Sequence, residues 1–69
     1  MNKKRNLWIR TSDGQIHSVY TTMSGDDKEI LTTFGGAFKF SEYVTFKDPI
    51  YDKEILFFTK HIVSISIQD

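Results

Sequence analysis

The stretch Glu54–Ile67, EILFFTKHIVSISI, decides how this chain is read. Its first half, Ile55-Leu56-Phe57-Phe58, is apolar on both faces of any strand it forms. Its second half, Val63-Ser64-Ile65-Ser66-Ile67, alternates and is apolar on one face only. Thr59-Lys60-His61 interrupts the apolar run between them. The pattern predicts two strands joined by a tight polar corner. The first of them wants cover on two sides, as strands buried on both faces do.

A chain of 69 residues has little cover to offer. A single core of this size leaves about 3–5 kcal/mol of net stability, so such chains commonly add a disulfide, a metal or a partner subunit. There is no cysteine, which removes disulfides and thiolate zinc sites and fits a cytoplasmic protein. His17 and His61 are far apart and match no metal-ligand spacing, so no metal or cofactor is expected. A homo-oligomer, or else an unusually good core, is what remains. Aromatic residues make up 14% of the chain, six Phe, three Tyr and one Trp, enough for a core with some left for an interface.

Nine basic and nine acidic residues cancel, so net charge exerts no general pull toward nucleic acid or anionic membrane. Lys3, Lys4, Arg5 and Arg10 nevertheless make the first ten residues basic. Residues 1–5 are expected to be a frayed basic end of one domain spanning 1–69. No apolar run approaches the ~20 residues of a membrane span, and no membrane association is expected.

Working back from the opening stretch, LWIRTSDGQIHSVY (7–20) reads as a hairpin about Asp13-Gly14. With a two-residue loop, Thr11 faces Ile16, Arg10 faces His17 and Leu7 faces Tyr20. Leu7, Ile9, Thr11, Ile16, Ser18 and Tyr20 then share the core face. MSGDDKEILTTFGG (23–36) supports two readings. A short helix over 25–34 would start at Ser24, carry Ile30, Leu31 and Phe34 on one stripe, and stop at Gly35-Gly36. A strand from Glu29 to Phe34 suits Thr32-Thr33, and the surrounding β pattern favours it. AFKFSEYVTFK (37–47) alternates, with Phe38, Phe40, Val44 and Phe46 on one face and a bend at Ser41-Glu42. DPIYD (48–52) is a turn or loop. The expected fold is all-β: five to six short strands in a small curved sheet or an SH3-like or Sm-like barrel.

YVTFKD (43–48), followed by EILFFTKHIVSI (54–65), resembles the last strands of Sm-like proteins, in particular the Hfq family of bacterial RNA chaperones. The resemblance covers about the last 27 residues. It implies that Lys60 and His61 stand at the corner between the last two strands, near a single-stranded RNA site, with Tyr43 at the place of an aromatic ahead of a middle strand. It also implies that the strands beside that corner pair between subunits in a ring. An Hfq-type N-terminal helix is missing, and the Phe38 strand would be one too many.

No nucleophile–base pair or carboxylate pair stands out, so no enzyme is expected. The leading expectation is a self-associating module that binds a protein partner, with Trp8, Tyr43, Tyr51, Leu56 and Phe58 as interface candidates. The alternative is binding of single-stranded RNA or DNA through Arg10, Lys39, Tyr43, Lys47, Lys60 and His61, cations interleaved with stacking rings.

Overall fold

A computed structural model describes residues 3–68 of the chain. Five strands, β1 (Lys3–Thr11), β2 (Ile16–Met23), β3 (Tyr43–Lys47), β4 (Glu54–Phe58) and β5 (Ile62–Ile67), form one antiparallel sheet in the order β4-β3-β2-β1-β5. One helix, α1 (Asp27–Phe40), lies between β2 and β3. The sheet is open, with β4 and β5 as its edges. These edges are consecutive in the chain, joined by a 3-10 turn at Thr59–His61. Four strand spacings of about 4.8 Å separate them in a flat sheet, so a connection this short requires the sheet to curl. β2 and β3 meet in the ladder at one pair, Tyr20↔Lys47. The sheet is thus two ribbons, β5-β1-β2 and β3-β4, splayed about that rung.

The 7–20 hairpin forms, with its register shifted by one residue from the expectation. Thr11 N–H donates to Gln15 O and Gly14 N–H to Thr11 O, so three residues, Ser12 to Gly14, make the loop. Gly14 takes a left-handed φ of +88°, which suits a three-residue hairpin loop as well as Asp-Gly suits a two-residue one. The Asp13 carboxylate decides for the longer loop by accepting from Thr11 Oγ1 and Gln15 N–H. Arg10 therefore faces Ile16, Ile9 faces His17 and Leu7 faces Val19. One residue of slip exchanges the faces of β2: Val19 is buried, while Ile16 and Ser18 are exposed.

The segment expected to prefer a strand over Glu29–Phe34 is helical, and the helix runs on through Phe40 instead of stopping at the Gly pair. Asp26, not Ser24, is the N-cap, its side chain accepting from Glu29 N–H. Thr32 and Thr33 are accommodated by donating their hydroxyls to the Lys28 and Glu29 carbonyls one turn back. Ile30, Phe34, Ala37 and Phe38 recur at helical spacing, and Phe34 and Phe38 pack on the sheet core. Phe38 and Phe40 accordingly belong to the helix, and the bend foreseen at Ser41-Glu42 is its C-terminal cap followed by the entry to β3.

Leu7, Ile9, Val19, Phe46 and Phe57 form the buried core on the concave face. Phe46 is its junction, with ring centroids 5.2 Å from Phe34 of the helix and 5.9 Å from Phe57 of β4. The basic N-terminus is not frayed through residue 5. β1 begins at Lys3, and the buried Arg5 donates to the Gly25 carbonyl and pairs with Asp27, tying β1 to the start of α1. Met1 and Asn2 of the expected loose end lie outside the described residues. Among the described residues, no helix is long and apolar enough to cross a membrane.

Candidate functional site

Because side chains alternate along each strand, the half of the set not used in the core emerges on the convex face. In the β3–β4 ribbon that set is Tyr43 opposite Phe58, Thr45 opposite Leu56 and Lys47 opposite Glu54. Tyr43, Leu56 and Phe58 are 55%, 49% and 54% exposed. The three make a contiguous apolar surface on one ribbon, grading into opposite charges at its far end. This accounts for the doubly apolar character of the opening stretch: Ile55 and Phe57 turn to the core, Leu56 and Phe58 to the outside.

The other interface candidates are elsewhere. Trp8, 46% exposed, lies on the convex face of β1, in a shallow depression with Arg10, Ile16, Ser64 and Ser66. Tyr51 is at the tip of the 48–52 loop beside Ile50, and both are exposed. Hydrogen bonds hold that loop in shape. Ile50 N–H donates to the Asp48 carboxylate, Asp52 N–H to Asp48 O, and Asp48 N–H to Lys53 O. Asp52, at a left-handed φ of +58°, accepts a hydrogen bond from the Tyr20 hydroxyl. Lys4 Nζ stands over the Tyr20 ring, 4.3 Å from its centroid.

The six nucleic-acid candidates divide similarly. A cleft of about 510 Å3 between the end of α1 and the 3-10 turn is lined by Lys39 and Lys60 together with Phe38 and Phe58, and by Glu42. Phe38 was not among the candidates; its helical position, invisible to a strand reading, carries it there. Arg10 and Lys47 lie away from this cleft, on the convex faces of β1 and β3. His61 turns to a different groove.

That second groove, also about 510 Å3, brings His17 and His61 to one place. They arrive from β2 and from the 3-10 turn, and they join Thr11, Ser12 and Asp13 of the hairpin loop along β4. Thr11 Oγ1 is 2.5 Å from Asp13 Oδ1 and 3.4 Å from His17 Nε2. The hydroxyl gives its one proton to the carboxylate. The Thr11 hydroxyl first, and then the Gln15 amide, hold the Asp13 carboxyl below the usual carboxylate range. Ser12 N–H donates to His61 O at 2.7 Å, clasping the loop to the corner. His17 also meets Phe57 edge-on at 5.3 Å. Among the described residues, no three of the His, Asp and Glu side chains come together as a metal site.

Comparison with protein-family models, with curated proteins and with solved structures returned no match to this chain.

Proposed function

We propose that this protein is a non-catalytic interaction module that associates with copies of itself and docks a protein partner through the convex face of β3 and β4. The observation that carries the reading is the pairing of Tyr43 with Phe58 beside Leu56, each about half exposed, with no charged residue among them. Aromatic anchors surrounded by near-neutral neighbours are what interface centres are made of. Trp8 and Tyr51 are secondary contact points, each on its own part of the surface. The lack of cysteine is compatible with a cytoplasmic setting.

Light scattering across a dilution series tests self-association. A mass above that of one protomer is expected at micromolar concentration. The doubly substituted Leu56→Lys, Phe58→Thr chain is expected to fold and to associate at least about 30-fold more weakly, since interface anchors contribute about 2 kcal/mol or more each. A wild-type protein that stays a protomer at all concentrations would refute self-association through this face.

A second reading is favoured by the Lys39–Lys60 cleft. Two cations beside two Phe rings have the chemistry of a single-strand binding site. Lys60 and His61 lie in the turn between β4 and β5, the corner that the Sm-like resemblance implies, and β4 and β5 are the two edge strands of the sheet. The long α1 between β2 and β3 departs from the expected pattern. On this reading a labelled oligouridine binds with a steep salt dependence, and Lys39→Ala and Lys60→Ala each lower the log–log slope by about 0.7. Salt-independent binding, or none, would remove it.

A further inference from the structure

The groove shared by the two histidines is lined on one side by Ile55, Leu56, Phe57 and Phe58, four consecutive residues of β4. Successive strand residues point to opposite faces, so a groove that touches all four runs along the strand's edge and does not lie on either face. β4 is the last strand of the sheet on that side, and its outer edge presents unpaired backbone groups. Its pairing with β3 is unbroken over five residue pairs, and no charge or proline stands between Ile55 and Phe58. The opposite edge of the sheet is different. β5 carries an extra residue against β1, where Arg10 pairs with Ser64 but Thr11 with Ile62, leaving Val63 as a bulge. Bulges twist an edge away from further pairing. Of the two edges, β4 is the receptive one.

The other wall of the groove carries the charge that favours one occupant. It is the hairpin loop, Thr11 to Asp13, with His17 and His61. An added strand sits about 4.8 Å beyond β4. The edge of a second copy brings a second strand behind the first, whereas a single extended chain does not. The groove volume, about 510 Å3, is within the ~300–1,000 Å3 of ordinary ligand sites. Among the described residues, Asp13 is the one carboxylate lining the groove, and no Lys or Arg lines it.

We propose that this groove receives an extended peptide segment of a partner protein, which adds to β4 as a sixth strand and sets a Lys or Arg side chain against Asp13. Backbone pairing to the β4 edge supplies affinity, and alternate side chains supply specificity, as in other strand-addition complexes. Residues of the segment that face the core side meet Ile55, Phe57 and the His17 ring. This assignment concerns the edge of β4 and stands apart from the proposed use of its convex face.

Three N-acetylated, C-amidated heptapeptides, Thr-Val-Thr-X-Thr-Val-Thr with X as Lys, Gln or Glu, test it by amide NMR titration and hydrogen exchange on the full chain. The Lys peptide is expected to shift and protect those of the Ile55–Phe58 amides that point away from β3, and to bind about threefold more tightly than the Gln peptide, the scale of one exposed ion pair. The Glu peptide is expected to be weaker still. Asp13→Asn keeps a side-chain oxygen that can accept from Thr11 Oγ1 and Gln15 N–H and is expected to abolish the Lys preference. Methylating alternate backbone nitrogens of the Lys peptide on its pairing edge is expected to abolish binding. No protection at Ile55–Phe58 with millimolar peptide, or equal affinity for all three, overturns the proposal. So does protection of those amides in the free protein that grows with its concentration, because a second copy would then be the occupant. The mass measurement above is decided separately, whichever way the peptides behave.

Discussion

Thr11 shows how much one side chain settles. Its hydroxyl donates to Asp13, lies 3.4 Å from His17 Nε2 and sits at the start of the hairpin loop, almost fully buried. The Asp13 carboxyl is held below its ordinary value by that hydroxyl first and by the Gln15 amide second. A carboxyl depressed on folding contributes stability above its unfolded pKa of ~3.9, and that contribution is lost as pH falls through the lower, folded value. Carbon-detected NMR titration of Asp13 is therefore expected to give a midpoint below ~3.9, and Thr11→Val to move it upward. An unchanged midpoint in Thr11→Val would show that the hydroxyl is not the cause. The same side chains explain why the register was not legible. Asp-Gly fits a two-residue loop as well as a three-residue one, and Ile16 made the shorter loop attractive by offering an apolar partner for the core face. The choice was made by Thr11 and Asp13 hydrogen bonds, which a polarity pattern does not encode.

At the scale of elements, α1 is the instructive case. Gly35 and Gly36 sit in its interior with ordinary helical backbone, and a Cβ at either would meet nothing within 4 Å. Neither glycine is required by geometry, so both weaken the helix through the freedom they have when unfolded. Gly35→Ala and Gly36→Ala are each expected to raise stability by about 0.5–1 kcal/mol in urea denaturation. A loss of stability would mean that the exposed Gly face is packed against something in solution. The Gly pair also misled the reading of the sequence, since glycine commonly ends a helix. What was legible was the beginning of the stripe, Ile30 and Phe34; its continuation to Ala37 and Phe38 was read as a strand. The corner at Thr59–His61 was legible because the polarity of the chain changes there, from apolar on both faces to apolar on one. The assignment of Leu56 and Phe58 to the outer face follows from that same change. The convergence of His17 with His61 was not legible, because it depends on the curl of the whole sheet.

For the molecule as a whole, the single rung between β2 and β3 sets the mechanical behaviour. β1 is paired on both sides over Leu7–Arg10, whereas β3 and β4 join the rest through Tyr20↔Lys47 and through the packing of Phe46 and Phe57. Native-state hydrogen exchange is expected to show the β3–β4 amides opening at a lower free energy than those of β1, which exchange only with global unfolding. Equal opening energies would mean that the Phe46 junction makes the two ribbons a single cooperative unit. The loop leading from β3 to β4 shares in this arrangement. Exposed loop tips are ordinarily the first places where proteases nick a chain, and Tyr51 is a side chain that chymotrypsin favours. A protease must draw such a segment out straight, however, and the Asp48 bonds together with the Tyr20–Asp52 bond hold it folded. Scission after Tyr51 would therefore report that the grip of Tyr20 has been released, and not merely that an aromatic ring is on view.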